Sequence, residues 1–254
     1  IILDTPEALS GIDDTLAWKP KNYDNEFKGP VTFRTSLEQS RNIPTIKIAH
    51  KVGIRKISDF MDRITFDAKF DRDLSISLGS FGVAILELVN MYLIFPNQGR
   101  VVDYKSISSI TDRDGNITTI EEGTKVRSAM ERSKIQSEVT AEGENKIKFA
   151  PYMANLKESV VYDPRLAYVM TNLLKGVVHH GTAREARELS SNLAGKTGTT
   201  SNYVDAWFIG FNPFLVTGVW IGFDDNKSMG YGETGGKAAL PVWKEYMRLG
   251  IRKY

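Results

Sequence analysis

The chain contains no cysteine, which excludes a disulfide framework and any thiolate metal site. It has almost no excess of either charge. Its 33 lysines and arginines against 31 aspartates and glutamates leave a net charge of +2, and no Lys/Arg-rich stripe runs through it, so nucleic-acid binding is not expected. An uninterrupted hydrophobic run is also missing. The most apolar stretch, Trp207 to Phe223, is broken by Gly210, Gly218 and Gly222 and by Asn212-Pro213. A spanning helix needs about 20 consecutive apolar residues, so this stretch reads as two strands joined by a turn. The N-terminus, Ile1 to Pro6, carries neither a basic leader nor an apolar signal core. It opens without methionine on what reads as mid-domain sequence, and a longer parent polypeptide is expected.

What is present suits a folded domain. Hydrophobic residues make up 41% of the 254 residues and charged residues 25%, enough for a sizeable core. Residues 1–35 are rich in turn formers (Asp13-Asp14, Lys19 to Asn25, Gly29-Pro30) and are expected to be irregular. From Ser36 the pattern turns helical, is interrupted at Asn42 and Pro44, and stops at Gly53. Ile54, Ile57, Phe60, Met61 and Ile64 predict a second amphipathic helix. Ala84, Leu88, Met91, Tyr92 and Phe95 predict a third, ended by Pro96 to Gly99.

Beyond residue 100, Asp114-Gly115 between β-branched runs predicts a hairpin. Residues 128–150 are polar and charged and read as an exposed excursion. Asp163-Pro164 is a helix start, with Asp as N-cap and Pro at the first helical position. The buried stripe of that helix is expected to hold Leu166, Met170, Leu173, Leu174 and Val177. Three alternating segments follow (194–200, 206–211, 215–223), and then a helix from Pro241 to about Ile251 that buries Val242, Trp243, Tyr246 and Met247. The order predicts an α+β fold, an antiparallel sheet flanked by helices with an all-helical subdomain. The expected division is 1–100 mainly helical, 101–150 hairpin and excursion, and 151–254 helix–sheet–helix.

The chemistry concentrates in Lys196-Thr197-Gly198-Thr199-Thr200. This run sets an ammonium and hydroxyls along an extended segment that can lay N–H groups and positive charge beside a substrate carboxylate. Its bland alternative is a helix-to-sheet turn. Upstream, Ser40-Arg41-Asn42 sits at a helix junction where Asn42 can serve as an N-cap. A Ser and an Asn two residues apart can equally point into one cleft, the hydroxyl passing a proton and the amide holding a carbonyl. His50, His179 and His180 have no partner at metal-ligand spacing and no orienting acid, and no Gly-x-Ser-x-Gly elbow is present. They read as exposed histidines, and neither a metal nor a cofactor is expected. Asp224-Asp225 and Glu121-Glu122 read as solvated turns. Trp207, Phe208, Phe211, Trp220, Phe223 and Trp243 read as core aromatics, with Trp220 or Tyr203 as alternative cleft residues.

The chain as a whole resembles the transpeptidase domain of bifunctional (class A) penicillin-binding proteins. The similar landmarks run collinearly: Trp18 to Tyr23, Gly29 to Thr32, Ser36 to Pro44, Leu78-Gly79, Gly176 to Thr182, Ala194 to Thr200, Asp205 to Gly210, Val219 to Asp224 and Thr234 to Trp243. Ser40-Arg41-Asn42 and Lys196-Thr197-Gly198 correspond to two of the three motifs of this superfamily.

The resemblance implies serine acyl transfer on peptidoglycan stem peptides ending in D-Ala-D-Ala, with β-lactams as trapping mimics. By position, Ser40 would pass protons, Asn42 would orient the peptide, and Lys196 would hydrogen-bond Ser40 and supply positive potential. Thr197 and Thr199 would bind the terminal carboxylate, with Gly198 and Thr200 completing that segment. The Thr199 N–H would form half of an oxyanion hole. The third motif, Ser-x-x-Lys, is absent: no serine has Lys three positions later. The nucleophile is therefore expected upstream of Ile1, together with a glycosyltransferase domain and a membrane anchor, placing the protein on the extracytoplasmic (periplasmic) face of a bacterial inner membrane. The alternatives are a catalytically inert binding fragment, and a D,D-carboxypeptidase or β-lactamase of the same superfamily.

Overall fold

The structure, a computed structural model, describes residues 1–6, 18–64, 73–101, 109–111, 113–115, 117–119 and 160–253. Two compact units emerge: Ile1–Arg100 with Val161–Tyr254, and Val101–Val160. The charged stretch 128–150 lies outside the described residues. Within the second unit, β3 (Ser109–Thr111) and β4 (Ile117–Thr119) pair antiparallel around Asp114-Gly115, with Gly115 at φ +85°, as the turn signal predicted.

The first unit begins with β1 (Ile2–Asp4) and β2 (Gly29–Val31), which pair antiparallel with Leu3 opposite Pro30. This ladder corrects the expectation of an irregular N-terminal segment. It is only three residues long, and its partner strand is buried in turn-forming sequence that carries no alternation to read. Next come α1 (Phe33–Glu38), α2 (Asn42–Val52), α3 (Ile54–Arg63) and α4 (Ile85–Tyr92). Thr32 caps α1 by accepting from Thr35 N at 3.0 Å, and Gly53, at φ +90°, ends α2. The N-cap of α2 is Arg41 rather than Asn42. Asn42 is the first helical residue, and its amide donates to Lys21 O at 2.8 Å.

The remaining elements form the layer that matters for function: α5 (Pro164–His179), β5 (Ala194–Thr199), β6 (Asp205–Phe211), β7 (Val216–Gly222) and α6 (Leu240–Lys253), the last preceded by a π-helical turn at Gly235–Ala239. The three strands form an antiparallel sheet in the order β5-β6-β7, with Lys196 opposite Ile209 and Thr199 opposite Ala206. This is the α+β architecture that the sequence pattern predicted.

The main core joins α5, the sheet and α6 through Val177, Val178, Leu193, Phe208, Leu240, Trp243 and Met247. Trp243 is fully buried. Its ring lies 4.7 Å from that of Phe208, edge to face, and its Nε1 donates to Thr217 O at 3.2 Å. The indole therefore fills the core without leaving its polar atom unpaired.

The helix faces are rotated slightly from the predicted stripes. In α5, Leu166 is exposed and Ala167 takes its place. Leu166 shares a helix face with Met170, Leu173 and Val177, but it lies in the first turn of α5, where its side chain is exposed. In α6, Leu240, Trp243 and Met247 form the buried line, so Val242 and Tyr246 face outward. Trp220 and Phe223, expected in the core, are partly exposed. Trp220 Nε1 donates to Asp205 Oδ1 at 2.7 Å, and Lys227 Nζ sits 4.4 Å over the Phe223 ring. Among the described residues no helix is long and apolar enough to cross a membrane, and no group of His, Asp and Glu is placed to hold a metal ion.

Candidate active site

β5 is the edge strand of the sheet among the described residues. Thr200 N donates to Asp205 O at 3.1 Å, closing the ladder at the β5–β6 end. Antiparallel pairing alternates residue by residue, so Thr197 and Thr199 turn their backbone N–H and C=O groups away from β6, toward the open edge. Among the described residues the edge thus presents backbone donors that no strand pairs, on the strand that carries the lysine and both hydroxyls.

Lys196 Nζ donates to Ser40 Oγ at 2.7 Å and to Thr197 O at 3.0 Å. The first bond joins residues 156 positions apart and brings together the two motifs that the sequence placed in one site. Burial pulls the Lys196 ammonium down to about 8, because a charged group loses hydration when desolvated. Ser40 occupies the joint between α1 and α2 at φ +53°, a left-handed conformation that costs a non-glycine residue about 1–2 kcal/mol. Strain of this kind persists where the surroundings over-determine the backbone.

On the other face of β5, Thr197 Oγ1 lies 2.7 Å from Thr182 Oγ1, and Thr199 Oγ1 accepts from Gly235 N at 3.0 Å. Having accepted that bond, the Thr199 hydroxyl keeps its own proton for a ligand. Thr200 is differently engaged, since its hydroxyl accepts from Asp205 N at 2.8 Å and contacts Asp205 Oδ2 at 3.2 Å, holding the β5–β6 turn. Asn42, half-buried one helical position after Arg41, is fixed by its bond to Lys21 O. His179 does not join the site: its Nε2 is 3.2 Å from Ser191 O.

Two glycines make this geometry possible. A Cβ on Gly181 would strike Glu38 O, and the same approach lets Thr182 N donate to Glu38 O at 3.1 Å. That contact ties the Thr182 loop to the end of α1, two residues before Ser40. A Cβ on Gly235 would strike Trp207 O and Gly198 O, with Gly198 N at 3.1 Å. Gly235→Ala is therefore expected to push the π-helical turn off β5, lowering stability by about 1–3 kcal/mol and weakening carboxylate binding through Thr199. Thermal melts and ligand titration check both effects together.

Sequence reasoning missed Thr182, Gly235 and Arg41 as site-shaping residues. The stretches Gly176 to Thr182 and Thr234 to Trp243 were visible as landmarks, but nothing in their composition ties them to β5. Elsewhere on the surface, Tyr23 Oη is 3.2 Å from Tyr203 Oη, and the Tyr203 and Tyr231 rings meet edge to face at 5.6 Å. The shared hydrogen bond, with burial, pushes the Tyr23 phenol up to about 12.

A left-handed serine, a buried lysine bonded to it, and two threonines on an open strand edge thus come together at β5. The chain belongs to the penicillin-binding protein transpeptidase domain family, whose model matches residues 5–248. It is similar to penicillin-binding protein 1A of Neisseria gonorrhoeae, at 35% identity across 99% of this chain and 28% of that protein. The Pseudomonas aeruginosa protein of the same name is 33% identical across 92% of this chain and 31% of its own length. The chain therefore spans under a third of these curated relatives. Among solved structures, penicillin-binding protein 1A from Haemophilus influenzae superposes with a TM-score of 0.78 at 28% identity, covering 98% of this chain and 38% of that one. PonA1 from Mycobacterium tuberculosis shares the fold, with a TM-score of 0.70 at 17% identity over 97% of this chain and 62% of that one.

Proposed function

We propose that this chain forms the larger part of a peptidoglycan D,D-transpeptidase site whose nucleophilic serine and lysine base lie on a Ser-x-x-Lys segment outside it. The observation that carries the reading is the 2.7 Å bond from Lys196 Nζ to Ser40 Oγ. The nucleophile's Oγ attacks the carbonyl of a D-Ala-D-Ala bond, and the tetrahedral oxyanion is met by the outward N–H of Thr199. The bond to the terminal D-Ala nitrogen then breaks, and that nitrogen takes a proton relayed through Ser40. The acyl-enzyme ester is resolved by the amine of a neighbouring stem peptide, which loses a proton by the same route. Asn42 orients the donor peptide, and Lys196, Thr197 and Thr199 hold its carboxylate, with Gly198 and Thr200 shaping the strand. β-Lactams enter the same cradle.

The polypeptide that unites the two parts, called the parent below, carries a glycosyltransferase domain and an anchor, and works on the extracytoplasmic face of the membrane. The chain without the Ser-x-x-Lys segment is inactive. The test is incubation of the parent with a stem-peptide donor and an amine acceptor. Release of D-Ala with formation of a cross-linked dimer supports the reading. Release without cross-linking marks a carboxypeptidase instead.

The Lys196 titration gives this function a pH signature. Carboxylate capture needs the ammonium, so pre-acylation affinity is expected to fall by up to about tenfold per pH unit above about 8. Lys196→Arg should flatten that limb, because arginine stays charged. The stability sign is opposite. The folded state binds this proton less tightly than the unfolded chain, so the Lys196 contribution to stability rises as pH climbs from about 8 toward lysine's ordinary 10.5. Dissociation constants and melting curves measured from pH 6 to 10 check both limbs.

A further inference from the structure

The residue between Ser40 and Asn42 is itself buried. Arg41 is 4% exposed and its guanidinium reaches away from the site into a closed polar cluster. Nε donates to Asp4 Oδ2 at 2.9 Å, and the two terminal nitrogens donate to Asp24 Oδ2 and Glu26 O. Asp4, on β1, is completely buried. Its other oxygen accepts from Asn22 Nδ2 at 2.7 Å, and Lys28 N adds a further bond at 3.2 Å to Oδ2. Asn22 also donates to Glu26 O at 2.8 Å and accepts from Ile43 N at 3.2 Å through Oδ1.

This cluster sits directly behind the strained joint. Arg41 N is fixed to Ser36 O at 2.9 Å and Ser40 N to Leu37 O at 3.1 Å, so both backbone neighbours of the left-handed turn are held. Ile43 N is held from the far side by Asn22. Lys21 O, which receives the Asn42 amide, is contributed by the residue next to Asn22. Apart from the Lys196 bond to Ser40, the side-chain struts on the Ser40–Asn42 turn that do not come from its own helices run to Asp4 and the 21–26 segment. A buried ion pair adds little net stability once desolvation is counted, which leaves geometry as its contribution. Against the cost of burial, a backbone bond from Glu26 and the Arg41 guanidinium hold the Asp24 carboxyl below its ordinary value.

Resting on the transpeptidase reading above, we propose that Arg41 is a positioning residue: its ion pair with buried Asp4 holds Ser40 in its left-handed conformation and so aims Ser40 Oγ at Lys196. The arginine touches no substrate. It acts through the turn alone.

The test is a cycle in the parent, with β-lactam acylation rate and melting temperature both measured. Arg41→Met alone strands Asp4 as a buried unpaired charge and is expected to lower both. Arg41→Met with Asp4→Leu removes both charges, so melting should recover toward wild type while acylation stays at least tenfold slow. Arg41→Lys, which restores the charge but not the forked geometry, should recover part of the rate. The decisive arm is Ser40→Ala: its cost in the Arg41→Met/Asp4→Leu background should be several-fold smaller than in wild type, because Ser40 is already misaimed there. Equal cost in both backgrounds, or acylation that recovers together with melting, would overturn the positioning role. A wild-type parent that is not acylated at all would overturn the transpeptidase reading and this inference with it. A reactive wild type with a fully reactive double variant would overturn this inference alone.

Discussion

Lys196→Met in the parent is expected to slow acylation by β-lactams about 10³-fold, the combined scale of a lost proton-relay partner and a lost electrostatic donor. Methionine keeps the length and apolar stem of lysine, so the packing around β5 is retained, and with the cost of a buried ammonium removed the melting temperature should not fall. What disappears is the donor at 2.7 Å from Ser40 Oγ and the only positive charge carried by β5. Without it Ser40 has no fixed proton partner, and the carboxylate meets Thr197 and Thr199 hydroxyls alone. Burst kinetics with a chromogenic cephalosporin separate the two losses: the acylation rate constant reports the relay and the pre-acylation dissociation constant reports the charge. Lys196→Arg should return most of the affinity and little of the rate.

Trp243→Ala is expected to be the largest stability loss in the chain, about 3–5 kcal/mol. The indole is fully buried between α6 and the sheet, packs edge to face on Phe208 and spends its N–H on Thr217 O. Its removal opens a cavity at the core that α5, β6 and α6 share, and it loses the indole bond to Thr217 O. For a chain of this size the melting temperature should fall by about 10 °C. Trp243→Phe, which keeps ring contact and loses the hydrogen bond, should cost less than half as much. Thermal denaturation of the two variants checks the order.

The C-terminal part was the most legible from sequence, for physical reasons that differ by element. The Asp163-Pro164 start of α5 is a local signal, since cap and first turn are written in adjacent residues. The three strands read off their alternation, and Gly53 stopped α2 where φ +90° demanded glycine. Helix faces were less secure. Leu166, Val242 and Tyr246 are apolar and lie within one position of the buried line, yet the neighbouring layer picks Ala167, Trp243 and Met247 instead.

In the site, Lys196 and Ser40 could be paired because both lie in motifs of the family the chain resembles. Thr182, Gly235 and the Arg41–Asp4 pair could not. Each depends on an approach between distant segments, and a lone Asp at position 4 or a Gly at 235 has no local pattern that announces a partner. The β1–β2 ladder that carries Asp4 is itself too short to show a period.

The most direct test of the account is intact-mass spectrometry of the parent after reaction with penicillin, followed by peptide mapping of the adduct. The account expects one penicilloyl group on a serine of a Ser-x-x-Lys segment outside residues 1–254, lost or strongly slowed in Ser40→Ala and Lys196→Met. A penicilloyl group on any serine within residues 1–254 would contradict it.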